Sequence, residues 1–287
     1  MLKSDIDRFM NWTAPLTFGV FSAREYAGRG RAEGAGSGVF VAPFLALTAR
    51  HVVEDLLQPK ADEQLLPPPE RFGIAAFQFI DPHDDLSATA WWRVDEIWAF
   101  GHTDLALLRL TPNGGLASTM QYRWPSRFAE ISLLPPSPGT IVQAFGYPCH
   151  TTSIVGDQVY AACSTTFSEG RVVAVHSPYR DRGLMAFPCF EIEMRADHGF
   201  SGGPVFADGK LCGIVSAGRS FEETTYAASL WPIIRTEIEW GGRKGFVFIE
   251  LAVNGFLAIP DWAHVSARIM PLIEDDREYL TLAPQTA

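Results

Sequence analysis

The chain has 287 residues, 47% of them hydrophobic, with 33 acidic against 23 basic side chains and a net charge of −10. This is a globular composition, long enough for one large domain or two moderate ones around a sizeable core. Basic residues gather only as Arg29 and Arg31 and as Arg243-Lys244, which argues against a phosphate-binding surface and so against nucleic acid as a partner.

Residues 1–16 read as a short leader with an amphipathic turn or two. Asp5, Asp7 and Arg8 fall where a secretory signal needs an unbroken apolar stretch. No later segment offers about 18 consecutive apolar residues. A cytoplasmic protein with no membrane partner is expected. Short strands follow at 17–26, 36–42 and 44–48, and the glycine-laden stretch 27–36 reads as a hairpin or loop. Residues 52–57 suit one helical turn, and further strands are expected at 72–80, 88–100 and 104–110. Many short strands at this spacing argue for an all-β barrel.

Residues 116–138, ending in Pro135-Pro136-Ser137-Pro138, form the candidate linker. A second strand series is expected at 140–146, 159–166, 170–175, 186–194, 204–207, 211–216 and 224–229. Residues 230–240 carry Ile233, Ile234, Ile238 and Trp240 at helical spacing, with Pro232 tolerated in a first turn. The extension 241–287 holds a strand-like 245–253 and a helical pattern at 261–273. The division is thus a leader (1–16), a first barrel (17–115), a linker (116–138), a second barrel with a terminal helix (139–240) and an extension (241–287).

Chemistry concentrates in three places. Ser201 lies in Gly199-Phe200-Ser201-Gly202-Gly203-Pro204, before a turn at Asp208-Gly209 and the apolar run 211–215. Glycines there permit unusual backbone geometry and leave no side chain between amide N–H groups and a substrate oxygen. His51 ends an apolar strand in Leu47-Thr48-Ala49-Arg50-His51, and Asp104 opens one in Asp104-Leu105-Ala106-Leu107-Leu108-Arg109-Leu110. A serine nucleophile needs a base, and the base a carboxylate to fix its tautomer; these three residues supply the set.

The stretches Gly36-Ser37-Gly38-Val39-Phe40, Thr48-Ala49-Arg50-His51-Val52, Asp104 to Leu110 and Gly199 to Pro204 resemble the successive signature blocks of the trypsin-like, chymotrypsin-fold serine peptidases. The resemblance covers roughly residues 17–240. It implies an all-β fold of two six-stranded antiparallel β-barrels with a C-terminal helix at 230–240 and a cleft between the barrels. In that cleft His51, Asp104 and Ser201 would be catalytic, with the N–H groups of Gly199 and Ser201 as oxyanion hole. Gly213-Ile214-Val215-Ser216-Ala217-Gly218 is similar to the family's substrate-binding strand, so Ser216 would steady Asp104, and Ser216, Ala217 and Gly218 would pair with substrate backbone. Arg195, six residues before Ser201, falls by counting at the base of the specificity pocket, where with His198 and Arg219 it would favour an acidic side chain; alternatively it points outward at the end of an alternating strand.

Phe200 replaces the aspartate that animal digestive members carry, so activation by clipping a propeptide is not implied. Cys149, Cys163, Cys189 and Cys212 are expected as free thiols, with a Cys189–Cys212 bond left open. His83, His102, His150, His176 and His264 show no metal-site spacing; neither metal nor cofactor is expected. The function implied is endopeptidase cleavage of a protein or peptide substrate, with a regulatory protein partner left open. Two alternatives stand beside it. The first is a catalytically silent binding module with the same fold; loss of a triad member would favour it, and none is lost. The second is an esterase, since the Gly-x-Ser-x-Gly string also fits the elbow of α/β-hydrolases, but there the histidine follows the serine and a helix comes next.

Overall fold

The computed structural model describes residues 13–26, 29–58, 69, 71–79, 89–113, 128–155, 158–219, 223–235, 237–240, 243–245 and 259. Its strands are β1 (Thr17–Tyr26), β2 (Arg29–Ala42), β3 (Leu45–Thr48), β4 (Arg71–Phe79), β5 (Thr89–Ala99), β6 (Ala106–Pro112), β7 (Ile141–Gly146), β8 (Cys149–Val155), β9 (Gln158–Cys163), β10 (Thr166–His176), β11 (Cys189–Glu193), β12 (Pro204–Ala207), β13 (Lys210–Arg219), β14 (Thr224–Ser229), β15 (Ile238–Trp240) and β16 (Arg243–Gly245). Strands β1-β2-β3-β6-β5-β4 close one six-stranded barrel and β10-β11-β14-β13-β12-β7 another, with β8–β9 and β15–β16 as separate hairpins. The strand pairings within both barrels are antiparallel. Closure leaves neither barrel an open sheet edge.

The apolar residues of β3 and β6 are buried on both faces, one toward the barrel interior and one toward neighbouring segments. A core cluster runs from Phe18 and Phe40 through Ile131 and Leu133 to Trp231 and Ile238, so it spans the first barrel and its junction with the second. A separate cluster, including Phe190, Ile192 and Phe200, fills the second barrel. The junction is also stitched by backbone: Ala129 N donates to Phe40 O at 3.2 Å, Leu211 N to Glu130 O at 2.7 Å and Ser132 N to Leu211 O at 2.8 Å. Residues 128–133 of the expected linker are therefore bonded to both barrels.

The glycine-laden 27–36 follows the hairpin reading and not the loop: it is strand from Arg29 onward, because each residue from 29 to 34 meets a partner on β1 and that ladder outweighs glycine's weak strand preference. Two other expectations differ from the structure. The helix expected at 230–240 is not formed. Trp231–Arg235 makes a 3-10 turn and Ile238–Trp240 a strand, in which Ile238 is buried and Glu239 exposed. The isoleucines that fit a helical period reach the core equally well from this turn and strand. Hairpin β8–β9, with Cys149 opposite Cys163, extends the expected strand 159–166 backward. Most of 245–253 and all of 261–273 lie outside the described residues.

α1 (Arg50–Leu57) carries His51. Val52, Val53 and Leu56 bury one face. Its last carbonyls are held by Arg24, whose Nη2 donates to Leu56 O and, at 3.0 Å, to Gln58 O.

Candidate active site

Asp104 stands just before β6 and is almost wholly buried. Ala49, the N-cap of α1, makes no side-chain capping bond. Asp104 serves instead: Arg50 N donates to its carbonyl at 3.2 Å and His51 N to Oδ1 at 3.0 Å. A carboxylate placed there meets amides that the helix itself cannot satisfy. The same carboxylate holds the imidazole, with His51 Nδ1 at 2.8 Å from Oδ2. Nδ1 therefore carries the proton in the neutral ring, and Nε2 is left as the basic nitrogen. Burial alone would lower the pKa of His51. The hydrogen bond and charge of Asp104, with Asp55 and Glu54 beyond, outweigh that, and the ring titrates above its ordinary 6.5.

Ser216 donates from Oγ to Asp104 Oδ2. It can do so because of a bulge: Val215 pairs with Ala227 and Ala217 with Tyr226, so Ser216 has no partner on β14 and turns to the carboxylate. Ala217 and Gly218 then run on with β14 along one side only, since the pairing of β13 with β12 ends at Ile214.

Ser201 is half-buried in the turn before β12. The amides around it alternate. Phe200 N, Gly202 N and Gly203 N donate to Asp197 O, Val215 O and Phe200 O at 3.1, 2.8 and 2.7 Å, whereas among the described residues those of Gly199 and Ser201 donate to no backbone carbonyl. Gly199 has φ +101° and Gly202 φ +81°, a region L side chains rarely adopt. Both are also crowded: a Cβ on Gly199 would lie 2.5 Å from Pro148 Cα and one on Gly202 2.2 Å from Ser37 O. Phe200, between them, is buried in the second barrel.

The turn is held from the first barrel by Ser37. Its N–H donates to Ser201 O at 2.8 Å and its Oγ to Gly199 O at 2.7 Å, while that Oγ accepts from Tyr147 N at 2.8 Å. Thr48 Oγ1 in turn donates to Ser37 O at 2.6 Å. Beside it, Gly36 packs so closely that a Cβ there would stand 2.4 Å from Ser201 O and 2.7 Å from Val52 Cγ2. These contacts bring Ser201 alongside the residue that follows His51. No hydrogen bond joins Ser201 Oγ to the imidazole among the described residues; in resting sites that contact is commonly long and tightens with substrate.

Of the residues singled out in the sequence, the structure joins His51, Asp104 and Ser216 by hydrogen bonds and holds Gly199 and Ser201 in one turn bonded to Ser37. Arg195 stands apart from them: its side chain is 64% exposed and paired with Asp197 Oδ1 at 2.7 Å. Cys189 and Cys212 are free, buried thiols rather than a disulfide. Burial pushes Cys189 up to about 12 and raises Cys212 likewise. Ser37 had no role in the sequence reading, although it is the one hydroxyl in the glycine stretch 34–38; that polarity was the available signal. A cavity of about 600 Å³ beside Gly199, lined by Gly34, Gly36, Pro148, Thr166 and Asp197 among others, has no signal in the sequence, because its walls come from distant segments.

Residues 36–214, well over half of the chain, match the family described as a trypsin-like peptidase domain. Among solved structures the chain is similar to the Rv3671c protease of M. tuberculosis in its active form, at 15% identity over 76% of this chain and 77% of that one, with a TM-score of 0.46. It is similar to the inactive form of Rv3671c protease at 16% identity over 86% and 92%, again with a TM-score of 0.46. No curated protein matches the chain.

Proposed function

Since this chain belongs to the trypsin-like peptidase domain family, we propose that it is a serine endopeptidase working through Ser201, His51 and Asp104. One observation carries the reading: a buried carboxylate sits 2.8 Å from His51 Nδ1, which leaves Nε2 as the basic nitrogen available to Ser201. In the proposed reaction Ser201 Oγ attacks the substrate carbonyl while His51 Nε2 takes its proton. The N–H groups of Gly199 and Ser201 hold the developing oxyanion, a contribution of about 3 kcal/mol per donor. Collapse breaks the C–N bond, the imidazolium gives its proton to the leaving amine, and water then hydrolyses the acyl-enzyme by the same path. Asp104 stabilises the imidazolium through its hydrogen bond to Nδ1.

The substrate is a protein or peptide bound in extended form along the unpaired side of residues 216–218. Free Cys189 and Cys212 suit a reducing compartment, and we assign the reaction to the cytoplasm. A fluorophosphonate probe tests the chemistry directly. Labelling of the native protein that disappears in Ser201→Ala and His51→Ala supports the reading; a folded native protein that takes no label overturns it.

A further inference from the structure

The cleft is unequal on the two sides of Ser201. On one side Gly218 approaches residue 196, so that a Cβ on it would stand 2.9 Å from Ala196 O. With a Cα–Cβ bond of about 1.5 Å, the Gly218 Cα lies within about 4.4 Å of that oxygen. A side chain inserted between two walls needs about 3.5–4 Å to each, about 7 Å in all. Thr225, paired with Gly218 across the strands, is fully buried behind them with its hydroxyl on Met194 O at 2.7 Å. No side chain fits between these two walls, so the residue before the bond must be one, such as alanine, that needs no room there.

On the other side of Gly199 lies the cavity of about 600 Å³, large enough for any side chain. Gly34, Ala35, Gly36 and Pro148 line one part of it with no polar side chain. The Asp197 carboxylate at its edge is met by Arg195 at 2.7 Å, which leaves His198 as the other titratable group of the lining. The lining therefore suits a bulky uncharged group, above all a ring lying on glycine backbone.

Proton transfer says which part of a substrate goes where. The leaving amine collects its proton from His51, and the next residue, Val52, packs against Gly36. The segment after the scissile bond thus departs over Gly34 and Gly36, and the segment before it lies along Ser216 to Gly218. We propose that this peptidase selects its cleavage site chiefly by the residue after the scissile bond, taking phenylalanine, tyrosine, tryptophan or leucine into the cavity, and that the residue before the bond is small. Thr166, in the cavity lining, is the specificity-determining side chain. The inference rests on the Ser201 chemistry proposed above.

Three internally quenched peptides, identical except for an Ala-Phe, Ala-Gly or Phe-Ala pair at the cleaved bond, test it on the full-length protein. Ala-Phe is expected to exceed each of the others in kcat/KM by at least about tenfold. Thr166→Trp, which fills the cavity, is expected to cut the advantage of Ala-Phe over Ala-Gly to less than about threefold. A second readout needs no variant. The acyl-enzyme formed from an acetyl-alanine ester is expected to be captured by phenylalaninamide at least about tenfold faster than by glycinamide. Equal rates for Ala-Phe and Ala-Gly, or a preference for Phe-Ala, in a protein whose Ser201 takes the fluorophosphonate would overturn the inference and leave the serine chemistry standing. Absence of both label and cleavage would remove the chemistry, and the inference with it.

Discussion

Replacing Gly36 by alanine tests how tightly the first barrel sets the nucleophile. The added methyl would stand 2.4 Å from Ser201 O, 2.7 Å from Val52 Cγ2 and 3.1 Å from Val52 Cγ1. Neither neighbour can turn aside: one is backbone of the turn that carries Ser201, the other a β-branched side chain stiff at χ1. Reaching even the shortest tolerable contact of 3.0 Å requires a displacement of at least about 0.6 Å, shared between Ser201 and the residue after His51. Overpacking of this kind costs about 1–3 kcal/mol. A misplacement approaching 1 Å costs about 100-fold in rate. The expected outcome is a fall of roughly 30- to 100-fold in the second-order rate of fluorophosphonate labelling, with a melting temperature lowered by about 2–4 °C per kcal/mol. Gly73→Ala is the control, since a Cβ there meets nothing within 4 Å; its labelling should stay within about twofold of native. Labelling of Gly36→Ala within threefold of native, at an unchanged melting temperature, would refute the packing argument.

Gly199→Ala forces a side chain into φ +101° and against Pro148; labelling should fall by at least about 100-fold, and a near-native rate would show that this amide does not hold the oxyanion. Ser216→Ala removes a hydrogen bond to the buried Asp104 worth about 1.5–3 kcal/mol. Its kcat/KM should drop at least about tenfold, measured on the best peptide. The acid limb of kcat/KM should have its midpoint above 6.5, because His51 is raised and only its neutral form accepts the proton; Asp104→Asn should move that midpoint down. By the same linkage, His51 contributes stability that is fully present below 6.5 and lost as the pH rises through the raised value, so its share of stability in native protein should fall between slightly acidic and alkaline pH and vanish in His51→Ala. Iodoacetamide at pH 8 should leave Cys189 and Cys212 unmodified in the native protein and alkylate both in urea, as read by peptide mass, since burial holds both thiols protonated.

The barrels were legible because their strands are short apolar runs punctuated by turns, and the limits of β1, β12 and β14 could be read from the residues alone. The terminal helix was not. Ile233, Ile234 and Ile238 satisfy a helical period, but a 3-10 turn and a strand bury the same three residues, and only tertiary packing decides between them. Within the site, His51, Asp104 and Ser201 stand out through their flanking residues. The bulge that frees Ser216 does not, since Val215, Ser216 and Ala217 read as ordinary strand and the extra residue exists only relative to β14. The same limit hid the cavity and the work of Ser37, both products of residues more than a hundred positions apart in the chain.

Ser37 gives the site a direction in time. Translation delivers the first barrel before the second, and N-terminal units fold first as a chain is made. By the time residues 199–201 emerge, Ser37 and the imidazole with its carboxylate already belong to a barrel that can close. The turn that bears the hydroxyl then docks on the Ser37 hydroxyl and amide, which donate to Gly199 O and Ser201 O. The nascent chain thus completes the His51–Asp104 pair before it makes the turn that carries Ser201, the proposed nucleophile.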